Sequence, residues 1–169
     1  EFAGAFHSAF AACGDWFDYI PLDEDRFAVV IGDVSGKGMG PAIVATETRA
    51  ILRSLALYTS DPAEIAATCN RLLIQDLAEF RFVTLFLAVI DRRTDSMKYV
   101  GAGHRAFVVD HSGRSTMLES TCQPLGLDER LHVVASPEIA LSPGDVLVAL
   151  TGGVEEAGAV DGEGFGNCR

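Results

Sequence analysis

Positive charge is scarce in this sequence, and what there is does not cluster. The 169 residues contain 13 Lys and Arg against 24 Asp and Glu, which gives a formal net charge of −11. A nucleic-acid interface needs basic side chains to displace the counterions of the phosphates, and an anionic membrane surface attracts the same charge. We therefore expect neither nucleic acid nor membrane as a partner.

Long apolar runs and paired cysteines are lacking as well. No run approaches the roughly 20 residues of a membrane-spanning helix, and the N-terminus has no basic segment of the signal-peptide type. The cysteines, Cys13, Cys69, Cys122 and Cys168, form neither a CxxC pair nor a Cys/His zinc spacing. We expect free thiols in a reducing compartment, and hence a cytoplasmic protein.

What remains is an ordinary globular composition, with 49% hydrophobic and 22% charged residues. At roughly 150 residues per domain, the chain is long enough for one domain, residues 1–169, with its own core. Its abrupt start suggests that this domain is part of a longer signalling protein.

Strand patterns outnumber helix patterns and are joined mostly by short turns. A helix is predicted over 42–58, opened by Pro41, and a second from the Asp61-Pro62 cap to about residue 79. Strands are predicted at 26–33, 82–91, 97–102, 107–110, 115–118, 131–135 and 145–150. This order favours an α+β layered sandwich of antiparallel sheet with a consecutive helix pair.

Two acidic motifs lie beside glycines at predicted strand ends. One runs from Gly14 to Asp18 and contains Asp15, and the other runs from Gly32 to Gly36 and contains Asp33. Glycine allows a sharp turn and a close approach to a ligand, and carboxylate and carbonyl oxygens are the ligands that Mg²⁺ and Mn²⁺ prefer. On the residues alone, the alternative that these aspartates cap turns is favoured, because Asp is common in turns.

The other candidate residues remain open on sequence grounds. The glycines after Asp33 fit neither a phosphate-binding Walker loop nor a dinucleotide fingerprint, and they predict a tight strand-to-helix turn. His104 is a general acid, a phosphate contact or a hydrogen-bonded hairpin residue. Lys37 is a solvated side chain or a phosphate contact. Thr84 and Phe86 are predicted core positions of a strand.

Seven short segments carry a resemblance to one known family. They are residues 13–18 (CGDWFD), 32–38 (GDVSGKG), 82–86 (FVTLF), 102–104 (AGH), 141–145 (LSPGD), 151–157 (TGGVEEA) and 162–166 (GEGFG). In this order they resemble the motifs of the PPM metal-dependent serine/threonine phosphatases, in the bacterial SpoIIE/RsbU-like branch.

The resemblance implies a fold and a metal site. The fold is a layered αββα sandwich of two antiparallel sheets flanked by helices, with a C-terminal helix and strand missing from this sequence. The metals are Mn²⁺ or Mg²⁺, two of them in the family. Asp15 is implied as the bridging carboxylate, Asp33 as a ligand, and Val34 as a ligand through its main-chain carbonyl, with Asp18 beside them.

The resemblance also implies a reaction and a partner. The reaction is hydrolysis of phosphoserine or phosphothreonine on a regulatory protein by a metal-activated water. That protein is typically an anti-sigma-factor antagonist of the STAS class. The helix pair within 42–79 corresponds to elements through which this branch is regulated, and a homodimer could form there.

Two departures from the family pattern bear on activity. Gly152 replaces the ligand Asp of the family's TDGV segment, and the sequence ends at Arg169, before the segment with a further ligand Asp. Cys13 and Lys37 also replace the usual Gly and His. Loss of anionic ligands weakens binding of a hard cation. The alternative function is therefore a degenerate phosphatase-fold module that binds a signalling partner without turnover.

Overall fold

The structure, a computed structural model, describes residues 1–8, 12–76 and 81–155, which form eight strands and three helices. In chain order they are β1 (Trp16–Pro21), β2 (Arg26–Val34), α1 (Met39–Leu55), α2 (Pro62–Asp76), β3 (Val83–Asp91), β4 (Ser96–Ala102), β5 (Ala106–Val109), β6 (Ser115–Leu118), β7 (Ile139–Ala140), β8 (Val146–Ala149) and α3 (Gly152–Glu155).

The strands form two antiparallel sheets. The larger has the order β1-β2-β3-β4-β7 and the smaller the order β6-β5-β8. Helices α1 and α2 pack together on one face of the larger sheet, and the smaller sheet lies against the other face. This confirms the predicted α+β sandwich of two antiparallel sheets.

Alternation along the strands builds a separate core on each face of the larger sheet. On β3, Val83, Leu85 and Leu87 point toward the helices, while Phe86 and Ala88 point toward the smaller sheet. All are at most 1% exposed. A strand buried on both faces reads as a continuous apolar run, because alternate residues enter different cores.

The glycines after β2 form the predicted strand-to-helix turn. Gly36 and Gly38 have φ of 108° and 85°, a region that favours glycine. Helix α1 begins at Met39, three residues before the predicted start, and Pro41 lies in its first turn. Asp61 caps α2 as predicted, since its carboxylate accepts a hydrogen bond of 2.9 Å from the Ala63 amide.

The predicted strand at 131–135 is wrong. Its alternating apolar residues Leu131, Val133 and Ala135 pack against the helix-side core, but the segment joins no sheet ladder. Only at the Ser136 amide, which donates to the Tyr99 carbonyl at 2.8 Å, does the chain reach β4. The alternation of apolar residues therefore arises because one side of the segment covers the core, and it does not indicate pairing with a neighbouring strand.

Other predictions differ from the structure in smaller ways. Strands β1 and β7 are additional to the predicted ones, and the predicted end of the second helix near residue 79 lies outside the described residues. Cys13, Cys69 and Cys122 are free thiols, and Cys168 lies outside the described residues. Within the described ranges, no helix has both the length and the apolar character needed to cross a bilayer.

Candidate metal centre

Asp15 and Asp33 face each other across neighbouring strands. Trp16 of β1 pairs with Gly32 of β2, so the antiparallel register places Asp15 directly opposite Asp33. The pairing continues beyond them, because the Val34 amide donates to the Gly14 carbonyl at 3.3 Å. Directly opposite residues have Cβ atoms about 5 Å apart and point to the same face. The two carboxylates are therefore neighbours.

Both carboxylates lie at one end of the sandwich, on the face toward the smaller sheet. Ile31, two residues before Asp33, packs into the core between the sheets, and Asp33 shares its face by the period of two. Asp15 and Asp33 are half-buried. The site thus lies at the end of the apolar layer and is accessible to solvent.

Gly14 allows the strands to approach closely at this point. A Cβ at residue 14 would lie 2.5 Å from the Val34 carbonyl oxygen and 3.0 Å from its Cβ. The Val34 side chain is fully buried on the helix side and has no donor atom, so a cation could be bound only by its main-chain carbonyl. Val34 therefore meets the first requirement for a carbonyl ligand, which is adjacency to both aspartates.

This donor set fits one hard divalent cation. Like charges directly opposite on paired strands destabilise the pairing, and a cation between them offsets that repulsion. Mg²⁺ is commonly held by one or two carboxylates with water at its other positions. Among the described residues, however, no group of three or more His, Cys, Asp or Glu converges as a metal site. Two carboxylates and bound water can complete the coordination of one cation, whereas two cations would need further anionic ligands.

A hydroxyl and an imidazole extend the site along β3 and the loop after β4. Thr84 pairs with Asp33 in the register, and its hydroxyl donates to the Asp33 carbonyl at 3.4 Å. The same hydroxyl oxygen lies 3.3 Å from Nδ1 of His104, which is 8% exposed. Thr84 is half-buried and polar, so it belongs to the site as well as to the strand, while Phe86 is a core residue as predicted.

Gly152 begins α3, just after the end of β8. Ala149 of β8 pairs with Ala106 of β5 in the antiparallel sense. The chain after β8 therefore runs beside the residues that precede β5, which include His104. Gly152 thus lies at the same end of the sandwich as His104. Residues 156–169, with the predicted 162–166 motif, lie outside the described residues.

Asp18 does not lie beside the two candidate ligands, which corrects the expectation for it. It is three residues from Asp15 on the same strand, so it points to the opposite face, where α1 packs. Its carboxylate accepts hydrogen bonds from Arg53 Nε at 2.6 Å and Arg49 Nε at 2.9 Å. Burial alone would raise the pKa of Asp18, but these two guanidinium groups outweigh it and hold the pKa below its usual 3.8.

The ion pairs of Asp18 with Arg49 and Arg53 should make a pH-dependent contribution to stability. Because its folded-state pKa is lowered, the stabilisation is present above the unfolded value of about 3.9 and is lost as pH falls through the folded value. Asp18→Asn should lower the free energy of unfolding by about 1–3 kcal/mol near pH 7, and by less near pH 3. Urea unfolding at the two pH values measures this, with exposed Asp76→Asn as control. An equal loss at both would contradict it.

Only weak sequence signals indicate the roles of Thr84, Arg49 and Arg53. Thr84 is the lone polar residue in an apolar run, and this is the sequence feature that corresponds to its position opposite Asp33. Arg49 and Arg53 are four apart and hence on one side of α1, but no sequence pattern indicates which acid they meet. Lys37 lies exposed in the glycine turn.

Comparison with known proteins supplies the family context. The model of the family described as Stage II sporulation protein E (SpoIIE) matches residues 23–169. Protein IcfG of Synechocystis sp. is 28% identical over 97% of this chain and 30% of its own length. Phosphoserine phosphatase RsbP of Bacillus subtilis is 29% identical over 73% of this chain and 32% of its own.

A solved structure shows the same architecture. The crystal structure of the RsbU and RsbW domains of Rv1364c from Mycobacterium tuberculosis superposes with a TM-score of 0.74 at 29% identity, covering 90% of this chain and 42% of that one. The chain thus spans about a third of the length of the two curated relatives.

Proposed function

The chain belongs to the SpoIIE family of PP2C-type phosphatase domains, and on that premise we propose that it removes phosphate from phosphoserine or phosphothreonine on a regulatory protein. In this reaction the oxygen of water forms a bond to phosphorus, the bond from phosphorus to the side-chain oxygen breaks, and that oxygen takes up a proton from the water. The products are a free hydroxyl and inorganic phosphate. The observation that carries the proposal is the direct opposition of Asp15 and Asp33 across β1 and β2.

Asp15, Asp33 and the Val34 carbonyl are the groups that would hold Mg²⁺ or Mn²⁺. When bound, such a cation lowers the pKa of a coordinated water and attracts phosphoryl oxygens. The chain contributes fixed negative charge on a rigid sheet edge, so the ligands need little reorganisation. Because both aspartates are half-buried, part of each side chain is accessible from solvent.

The partner that fits this proposal is a phosphorylated regulatory protein of a sigma-factor pathway. Its support is the family and the name of the relative RsbP, a phosphoserine phosphatase. An anti-sigma-factor antagonist of the STAS type is the specific substrate that we propose. We propose the cytoplasm as the compartment of this pair, because Cys13, Cys69 and Cys122 are free thiols, which is typical of a reducing compartment.

A specific observation favours the alternative of a binding module with little or no turnover. Gly152 offers no carboxylate where the family motif has one, and within the described part of the chain no third acidic side chain completes a metal-binding group with the two aspartates. Under this alternative the chain would bind a phosphorylated partner without hydrolysing it.

Gly152→Asp separates the two functions. We expect this variant to raise phosphate release from a phosphoserine peptide at millimolar Mn²⁺ by about tenfold or more, because an added anionic ligand strengthens cation binding. The neighbour Gly153→Asp is the matched control, since it adds the same charge one residue away. Equal activation by both variants would show a general charge effect and contradict the role given to position 152.

The wild-type rate in the same assay decides between enzyme and binding module. Turnover in wild type that Asp15→Asn removes supports the enzyme. A silent wild type that Gly152→Asp activates supports the binding module. Silence in all variants, with no Mn²⁺ bound by wild type in calorimetry, would overturn the phosphatase proposal for this chain.

A further inference from the structure

We propose that His104 is a positioning residue whose Nδ1–H orders the Thr84 hydroxyl and, through it, the peptide group that joins Asp33 to Val34. This inference rests on the proposed function, because that peptide group links two of the three proposed cation ligands. The Asp33 carbonyl belongs to this peptide group, so a hydrogen bond to it helps to hold the main chain between the Asp33 side chain on one side and the Val34 carbonyl on the other.

The hydrogen-bond directions follow from the number of protons. A threonine hydroxyl has a single proton, and the Asp33 carbonyl can only accept. When Thr84 donates to that carbonyl, at 3.4 Å, its oxygen must accept from His104 Nδ1, at 3.3 Å. The neutral imidazole is therefore assigned the Nδ1–H tautomer, with the order of donation from His104 to Thr84 to Asp33.

Burial makes this arrangement specific. His104 is 8% exposed, and its neighbour Gly103 has a φ of 66°, a conformation in which an added Cβ would meet the Pro124 ring. The main chain before His104 is also held, because the Gly103 amide donates to the Cys122 carbonyl at 2.9 Å. The imidazole is thus set against β3 by its backbone, and it is not a mobile surface group.

Partners that hold metal ligands in place typically affect cation affinity by about 10- to 100-fold. Thr84→Val removes the hydroxyl but keeps the shape, so we expect Mn²⁺ affinity at least about tenfold weaker than in wild type. Thr84→Ser keeps the hydroxyl and should stay within about threefold of wild type. Thr116→Val, on the exposed part of β6, is the matched control and should change nothing.

Two substitutions at His104 test which nitrogen matters. His104→Asn places an amide donor near the Nδ1 position, and His104→Gln places it near the Nε2 position. We expect His104→Asn to keep Mn²⁺ affinity within about threefold and His104→Gln to weaken it by about tenfold or more. Equal loss in both, with unchanged thermal unfolding, would overturn the assigned role.

Nitrogen NMR tests the same inference without metal or turnover. In the metal-free wild type at about pH 8, where imidazole is ordinarily neutral, long-range ¹H–¹⁵N spectra should show His104 as the Nδ1–H tautomer. An Nε2–H tautomer would overturn the inference even if the chain binds Mn²⁺. Conversely, an Nδ1–H tautomer in a chain that binds no Mn²⁺ would count against the proposed function and leave the hydrogen-bond order intact.

Discussion

Asp33→Asn is expected to lower kcat/KM for a phosphoserine peptide by about a hundredfold to a thousandfold. Asparagine keeps the size of aspartate but removes the negative charge opposite Asp15, and affinity for a hard divalent cation depends on ligand charge. The measurement is phosphate release at fixed Mn²⁺ in wild type, or in Gly152→Asp when that variant is the active one.

The control for Asp33→Asn is a change of the same kind outside the site. Glu129→Gln removes one negative charge from an exposed turn and should leave kcat/KM within about twofold, because salt screens exposed charges. Raising Mn²⁺ should restore part of the Asp33→Asn activity. Full activity of Asp33→Asn at low Mn²⁺ would show that this carboxylate holds no catalytic cation.

Phe86→Ala is expected to cost about 3–5 kcal/mol of the free energy of unfolding, the largest effect on stability that we predict. Phe86 is fully buried between the sheets and stacks on Tyr99, with ring centroids 5.1 Å apart. It also lies two residues from Thr84 on the same face of β3, so a cavity there would loosen the layer that ends at the site. Urea unfolding monitored by far-UV circular dichroism measures the loss.

Phe86→Leu is the matched variant for the core. It keeps an apolar side chain of similar volume, so its cost should stay near roughly 1–2 kcal/mol. Phe107→Ala, at a half-buried position of β5, should cost less than Phe86→Ala because less apolar area leaves water on folding. A loss below about 1 kcal/mol for Phe86→Ala would contradict the placement of this ring in the intersheet core.

Much of the fold could be predicted from local chemistry. Asp61 and Pro62 marked the start of α2, the glycines after Asp33 marked the turn into α1, and short turns between apolar runs indicated antiparallel pairing. Each of these patterns depends on only a few neighbouring residues and does not depend on contacts with distant parts of the chain. The family motifs placed Asp15 and Asp33 at strand ends, and the register then shows that the two strand ends are neighbours.

What could not be predicted depends on contacts between distant parts of the chain. The alternation at 131–135 looks like a strand, but it is satisfied by packing against the helix-side core, and periodicity alone cannot separate the two. The face on which Asp18 lies depends on where β1 begins. Its partners on α1, 31 and 35 residues away, depend on how the helix lies on the sheet.

The most direct test of the central claim is a Mn²⁺ titration followed by electron paramagnetic resonance, with wild type, Asp15→Asn, Asp33→Asn and Glu129→Gln compared. We predict that wild type and Glu129→Gln bind Mn²⁺ with equal affinity and that each aspartate substitution weakens binding by about a hundredfold, because both carboxylates serve the same ion. Binding unchanged by either substitution would contradict a shared cation between β1 and β2.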